Sequence, residues 1–271
     1  MSLIARIGTR QVRICRDIID RYKGHAWILD RVRANVERSS GPALKEITIE
    51  EFWRWYVTAI ATTLTRSAIP GNPIQQLIEQ SDRYPALSWS SLQMVTERAT
   101  EKIIYKSFRT AGQDADHGVI FGMTMKSRQL ARGHKLLQNG GWEEIRPHLQ
   151  KLQRRRQRAT IERDIARRLL FLSGVGPKQA RNILQMLGLT RYEIPLDSRV
   201  SAFLRTNLKF PVHVSAAKLG NELFYCAVLD WVQALCKRAE VYPTVFDICA
   251  FIHGDGSPKT KRRGHLPNCR S

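Results

Sequence analysis

The sequence predicts an all-α protein. Apolar residues recur at intervals of three and four along most of the chain, which places them on one face of a helix. No run of alternating apolar and polar residues is long enough to indicate a strand. Clusters of glycine, proline and serine separate the helical stretches, as turns require; they lie at 39–42, 70–73, 112–118 and 140–141. The pattern is typical of packed helices connected by short turns.

Four apolar stripes define the clearest helices. The first follows Thr48, which forms a capping box with Glu51 because each side chain can bind a free amide at the helix start. In chain order the stripes are Phe52, Trp55, Tyr56, Ala59 and Ile60; Ile161, Ile165, Leu169 and Leu172; Ala180, Ile183, Leu184 and Leu187; and Phe224, Ala227, Val228, Trp231 and Leu235.

The composition favours a polyanionic partner. Lys and Arg number 44 against 24 Asp and Glu, for a formal net charge of +20. Such an excess favours nucleic acid, because each neutralised phosphate releases counterions. We find no secretion signal and no apolar run of membrane-spanning length, so we expect no membrane partner. Five widely spaced cysteines favour a reducing compartment over a disulfide framework.

Basic residues are concentrated just before the third stripe. From Lys151 to Arg168 the chain has eight Lys or Arg residues against two acidic ones. A charge run of this kind usually forms a solvated helix face. Because this one leads directly into a glycine-rich turn, contact with a nucleic-acid backbone is the second interpretation, and both stay open.

The turn at residues 172–178 has the composition of a phosphate site. Gly174 and Gly176 flank Val175, allow positive φ and let a ligand approach the main chain. Pro177 suits the first position of a helix, where its missing N–H costs nothing. The free amides and the positive end of the helix dipole would then bind an anion. Lys178 lies in the first turn of that helix.

Lys178 and Asp197 form a candidate catalytic pair. A lysine of ordinary pKa is protonated and cannot attack, but a helix N-terminus, a basic neighbourhood and partial burial all lower that pKa. Asp197 follows the apolar segment 194–196, nineteen residues after Lys178. Its carboxylate would stabilise positive charge on a sugar carbon or accept a proton. The alternative for Asp197 is an N-cap of the next helix.

Two segments carry a family resemblance. Residues 172–180 fit the pattern L-x-G-V-G-x-K-x-A, and residues 194–200 read I-P-L-D-S-R-V. Together they resemble the helix-hairpin-helix DNA glycosylases (the HhH-GPD superfamily). Within that superfamily they are most similar to the 8-oxoguanine DNA glycosylase/lyases that lack an iron–sulfur cluster. Residues 57–67 are similar to the helix that opens the family's barrel.

The resemblance implies two helical subdomains that flank a DNA-binding cleft. One would combine residues 1–56 with 191–252. The other would be a helical barrel at 57–190, with the helix-hairpin-helix at about 161–188, and residues 253–271 would form a basic tail. The implied activity is flipping and excision of a damaged or modified base, with associated AP lyase activity.

The resemblance also implies roles for single residues. Lys178 would attack C1′ and form a Schiff base, and Asp197 would assist electrostatically. Gly174, Val175, Gly176, Lys178 and Arg199 would contact DNA, and Thr63 occupies a position of the base pocket. An oxidised purine such as 8-oxoguanine is the expected substrate. The alternatives are a glycosylase for enzymatically modified cytosine, including modified foreign DNA, and a non-catalytic helix-hairpin-helix DNA-binding module.

The expected partner is double-stranded DNA, bound by a monomer in the cytoplasm (on the nucleoid) or in a nucleus. The cysteine intervals are too long for an iron–sulfur cluster, and no cofactor is expected for the reaction. Zinc is an open alternative near the C-terminus, because Cys249, His253, His265 and Cys269 would supply four N and S ligands. The other interpretation is a buried helical cysteine followed by unrelated residues in a flexible tail.

Overall fold

The computed structural model describes residues 3–37, 46–63, 73, 77, 84–114, 120–154 and 159–255. The predicted all-α class is confirmed: helices occupy most of these residues, and no strand occurs among them. Within the same residues, no helix is both long enough and apolar enough to cross a membrane. The C-terminal segment 256–271 lies outside the described residues, and so do residues 64–67 of the stretch similar to the family's barrel helix.

The α-helices follow one another along the chain with few long connections. In the first half they are α1 (Thr9–Tyr22), α2 (Ala26–Val32), α3 (Ile49–Ala61), α4 (Trp89–Leu92), α5 (Glu97–Asp114), α6 (Met123–Leu136) and α7 (Trp142–Arg154). In the second half they are α8 (Ala159–Arg168), α9 (Pro177–Met186), α10 (Ser198–Thr206), α11 (Ala216–Leu219), α12 (Glu222–Ala239) and α13 (Pro243–Asp255). Short 3-10 or π turns precede α1, α4 and α7 and follow α2 and α8.

Helix starts agree with the local sequence signals. The Thr48 hydroxyl accepts the Glu51 N–H at 3.1 Å, so the Thr half of the expected capping box is confirmed. The carboxylate of Glu50 instead reaches across to α4, where it accepts the Trp89 N–H at 3.0 Å. Pro177 is the first residue of α9, as predicted.

The described apolar residues pack into two clusters. The first runs from Ile47 to Leu189 and includes the buried face of α3 together with α6 to α9. The second combines residues of α1 and α2 with residues 194–250, so the two ends of the chain share one core. Because Phe52 and Tyr56 of α3 belong to the first cluster, this helix packs with the middle of the chain. The predicted domain boundaries and the cleft between subdomains stay predictions.

Candidate active site

The turn between α8 and α9 has the backbone conformation that its glycines favour. Gly174 has φ +79°, in the left-handed region where L residues are strained. A Cβ built on Gly174 would lie 2.7 Å from Oε1 of Gln129 on α6. The Tyr56 hydroxyl donates to the Ser173 carbonyl at 2.5 Å, and this bond ties the turn to α3. Gly174 is therefore required both for the turn and for close packing against α6.

The predicted DNA contacts in this turn have different environments. Gly174 is exposed and Gly176 is half-buried. Val175 is buried in the first cluster, and its N–H donates to the Leu172 carbonyl at 3.0 Å. Its main contribution visible in the structure is therefore to close the turn. The first amides of α9 follow, and in any helix these N–H groups have no intrahelical acceptor.

Helix α9 has two buried faces of opposite character. Ala180, Ile183, Leu184 and Leu187 form the predicted stripe, and all four lie in the first cluster. The other face has Lys178, Arg181 and Gln185, spaced three and four apart on the helix. Arg181 and Gln185 are buried and contact residues of α12 and α13. The polar face therefore lies toward elements of the second cluster.

Lys178 lies in the first turn of α9, at the N-terminal end of this polar face. The residue is partly exposed, but burial of its ammonium lowers the pKa of Lys178. The charges of Asp197 and Asp247 act in the opposite direction, and the charge of Arg199 adds to the lowering. The charge of Asp197 thus acts on Lys178, although nineteen residues separate them in sequence.

The segment that leads to Asp197 is anchored first by Glu162 of α8. The buried Glu162 carboxylate accepts the N–H groups of residues 191, 192 and 193 at 3.0, 2.8 and 2.9 Å. It also accepts the hydroxyl of Thr190 at 2.5 Å. Since α8 precedes the glycine turn, one carboxylate connects α8 to the turn after α9. In the sequence Glu162 is only one of two acidic residues within the basic run.

Tyr225 of α12 anchors the next three residues. Its hydroxyl donates to the Ile194 carbonyl at 2.9 Å and accepts the Leu196 N–H at 2.6 Å. The ring is fully buried, and Ile194 and Leu196 lie in the second cluster. The apolar approach to Asp197 is therefore a buried segment held from two sides, by α8 and by α12.

Asp197 is the N-cap of α10, as one interpretation of the sequence predicted. Its Oδ1 accepts the N–H groups of Arg199 and Val200 at 2.8 and 2.9 Å. Its Oδ2 lies 3.3 Å from Nη1 of Arg199. The guanidinium of Arg199 in turn lies 4.1 Å from the ring centroid of Phe251 on α13. The capping role is thus confirmed, and the charge of the same carboxylate acts on Lys178.

A buried ion-pair network surrounds Arg181. Its Nε donates to Glu193 at 2.9 Å, and both terminal nitrogens donate to Glu222 of α12 at 2.7 Å. Burial alone would lower the pKa of Arg181, but the hydrogen bonds of Glu222 and the charge of Glu193 outweigh it and raise that pKa. The network positions α9 against α12. The sequence does not predict this network, since a helix-face arginine carries no signal of its buried partners.

The second half of the basic run is engaged within the protein. Arg163 contacts Glu193 at 3.0 Å and Asp230 at 2.6 Å. Arg167 contacts Glu222, and Arg168 contacts Asp164, at 3.3 and 3.2 Å. Three of the eight basic residues are therefore ion-paired with acidic side chains, and residues 155–158 lie outside the described part of the chain. For α8, these ion pairs account for the charge without a nucleic acid.

Thr63 contacts α9 directly. Its hydroxyl accepts the Gln179 amide at 3.1 Å and donates to the Ala59 carbonyl at 3.3 Å. Its carbonyl accepts the ammonium of buried Lys126 at 2.5 Å, and the same ammonium donates to the Ala61 carbonyl at 2.8 Å. Thr63 therefore lies beside the residue that follows Lys178. Its assignment to a base pocket stays a prediction.

The zinc candidates that the structure describes are both packed against other side chains. Cys249 is fully buried in the second cluster, and burial raises the pKa of its thiol to about 12. His253 Nδ1 lies 3.4 Å from the Tyr22 hydroxyl, and its ring contacts Phe203 edge-on. His265 and Cys269 lie outside the described residues, within which no group of three or more His, Cys, Asp or Glu side chains is suited to a metal. Zinc binding by this set stays a prediction.

No family model, curated protein or solved structure matches this chain.

Proposed function

We propose that this protein is a DNA glycosylase with associated AP lyase activity. One observation carries the proposal: Lys178 lies in the first turn of a helix that follows a left-handed glycine turn, where burial lowers its pKa and the charge of Asp197 acts on it. A lowered lysine pKa is what nucleophilic catalysis by an amine requires at neutral pH. The preceding glycine turn and the first amides of α9 suit a phosphate of the same strand.

In the proposed reaction, the neutral amine of Lys178 attacks C1′ of the flipped nucleotide as the base departs. Asp197 stabilises the positive charge that develops on the sugar. The C1′–O4′ bond of the resulting aminal then opens to give a Schiff base. Loss of a C2′ proton with departure of the 3′-phosphate completes the β-elimination and nicks the strand. The proposed partner is double-stranded DNA bound by a monomer, in the cytoplasm or a nucleus. The proposed base is an oxidised purine such as 8-oxoguanine, and enzymatically modified cytosine is the alternative.

A second candidate function is DNA binding without chemistry. It is favoured because both carboxylate oxygens of Asp197 have partners within the protein: Oδ1 caps α10 and Oδ2 pairs with Arg199. A helix that needs this cap would keep an aspartate for stability alone. The two candidates differ in one respect: only the glycosylase needs the charge of Asp197, whereas the cap needs only an acceptor oxygen.

The test of the proposed function uses borohydride trapping on a panel of duplexes with different oxidised purines and modified cytosines. We expect covalent trapping with the preferred lesion, and Lys178→Gln should abolish it. Lys237→Gln makes the same chemical change at an exposed residue of α12 and should leave trapping intact. Scoring strand cleavage with and without alkali separates base excision from lyase activity.

Asp197→Asn is the sharper variant, because asparagine caps a helix about as well as aspartate. We expect unchanged thermal stability and DNA binding, with base release reduced at least ~100-fold, in the range of positioned electrostatic groups. Full excision by Asp197→Asn would reject the mechanism. Binding without trapping on any duplex of the panel would favour the non-catalytic module.

A further inference from the structure

The carboxylate of Glu193 joins three helices to the segment that leads to Asp197. Its Oε1 accepts Nε of Arg163 on α8 at 3.0 Å and Nε2 of Gln233 on α12 at 3.1 Å. Its Oε2 accepts Nε of Arg181 on α9 at 2.9 Å. The Glu193 side chain is inaccessible to solvent. Because a buried carboxylate is tolerated only with specific donors, these bonds fix its position from three sides.

The main chain of Glu193 is held as firmly as its side chain. Its N–H donates to the Glu162 carboxylate at 2.9 Å and to the Thr190 hydroxyl at 3.0 Å. Its carbonyl oxygen lies 2.7 Å from the same hydroxyl, and all three residues are buried. Tyr225 then anchors the residues that follow. A displacement of Glu193 would therefore pass along a buried, hydrogen-bonded segment to Asp197, four residues later.

The bond from Glu193 to α9 lies close to Lys178 along that helix. Arg181 follows Lys178 by three residues, so both side chains lie on the polar face of α9. The other two anchors of the segment belong to α8 and α12, whereas Glu193 reaches α9. The Arg181–Glu193 bond therefore connects the helix of Lys178 directly to the segment that ends at Asp197.

Neutralisation of the two arginines does not depend on Glu193. Both terminal nitrogens of Arg181 also donate to Glu222, each at 2.7 Å. Nη1 of Arg163 lies 2.6 Å from Asp230. Each guanidinium therefore keeps a carboxylate partner when Glu193 is replaced. What Glu193 adds to this network is the connection to the segment before α10.

We infer that Glu193 is a positioning residue of the candidate site: it holds Asp197 in a fixed place relative to α9 and Lys178. The consequence for catalysis rests on the proposed function, in which Lys178 and Asp197 act on one nucleotide. The positional role does not rest on it and is measurable without DNA. The consequence should be large, because a misplacement of about 1 Å costs on the order of 100-fold in rate.

Glu193→Gln is the test variant. Because each oxygen of Glu193 accepts from an N–H donor, an amide nitrogen in either place would face a donor. Hydrogen exchange followed by NMR measures the main-chain N–H groups at positions 193 and 196 against that of Val232, in the buried part of α12. This ratio should rise at least ~10-fold in the variant, in the range of a lost hydrogen bond to a charged group. Asp230→Asn removes the other partner of Arg163 and should leave the ratio unchanged.

Base release in single turnovers, on the preferred duplex of the trapping panel, tests the consequence for catalysis. Glu193→Gln should lower the rate constant ~100-fold while the affinity for the duplex stays the same. Asp230→Asn should change neither quantity. A general loss of stability would instead reduce the fraction of active protein, and it would leave the rate constant of the folded fraction unchanged.

An exchange ratio that Glu193→Gln leaves unchanged would overturn the inference, as would an equal change in Asp230→Asn. An unchanged rate constant of base release in Glu193→Gln would overturn it as well. If no duplex of the panel releases a base with the unsubstituted protein, while the exchange ratio changes as expected, only the proposed function is rejected.

If Glu193→Gln does not fold, the unsubstituted protein decides. The Glu193 amide should then exchange with the same urea dependence as the Ile183 amide of α9, because the segment and the helix open as one unit. A Glu193 amide that exchanges through a separate local opening rejects the inference.

Discussion

The two faces of α9 are both buried, yet different forces hold them. Ile183 and Leu184 are inaccessible to solvent and pack among apolar side chains of the first cluster. Arg181 is equally inaccessible, but it lies among carboxylates, at hydrogen-bonding distance from Glu193 and Glu222. Apolar burial is favourable for almost any arrangement of neighbours, whereas a buried charge is tolerated only with specific partners. The apolar face thus stabilises the helix, and the polar face fixes its position.

The largest expected effect is on the polar face. Arg181→Met leaves the buried Glu193 and the partly exposed Glu222 without their shared partner, and this should lower the free energy of unfolding by ~3–5 kcal/mol. Urea unfolding measures the loss. Arg168→Met breaks an exposed pair on α8 and should cost no more than ~0.5 kcal/mol. Equal losses in the two variants would mean that the buried Arg181 network contributes no more to the free energy of unfolding than an exposed ion pair.

The apolar face should respond more simply. Leu184→Ala should cost ~2–4 kcal/mol, through lost transfer free energy and the cavity that remains. This loss should be the same at pH 4 and pH 7. The Arg181→Met loss should be smaller at pH 4, because the Arg181 hydrogen bond helps to hold the pKa of Glu222 below its ordinary value and, without it, that carboxylate gains a proton more readily. Urea unfolding of both variants at the two pH values compares the apolar face with the polar face. A Leu184→Ala loss that varies with pH would contradict the distinction between them.

A smaller, pH-dependent effect is expected from Lys126, the buried cation held by carbonyls. Burial lowers the pKa of Lys126 from 10.5 to about 8. Between those values the unfolded chain binds more protons than the folded protein, so stability should rise with pH. The contribution has a ceiling of ~3 kcal/mol, and the two carbonyl acceptors reduce it because they favour the ammonium.

The Lys126 prediction is checked by urea unfolding of the unsubstituted protein and of Lys126→Met at pH 8 and pH 10. The stability of the unsubstituted protein relative to Lys126→Met should rise from pH 8 to pH 10, and other groups that titrate in both proteins cancel. Parallel pH dependences would show that the Lys126 ammonium is not penalised by burial. Buried cations bound by carbonyls and by carboxylates would then behave alike.

Local signals in the sequence were sufficient for the all-α class, the Thr48 cap, the start of α9 at Pro177 and the apolar stripe of α9. Each depends on residues within one or two helical turns, where spacing alone fixes geometry. Asp197 is intermediate. Its sequence context indicated a helix cap, which the structure confirms, whereas the effect of its charge on Lys178 depends on how two helices pack.

Only the tertiary structure decided which polar residues meet. Glu162 and Tyr225 anchor the segment before Asp197 from two different helices, and Asp247 reaches the polar face of α9 from a third. In the sequence these residues look like ordinary helix-face side chains. Hydrophobic periodicity is set along one helix and can be read from it, but the partner of a buried charge lies on another element. Its identity is fixed only when the helices are packed.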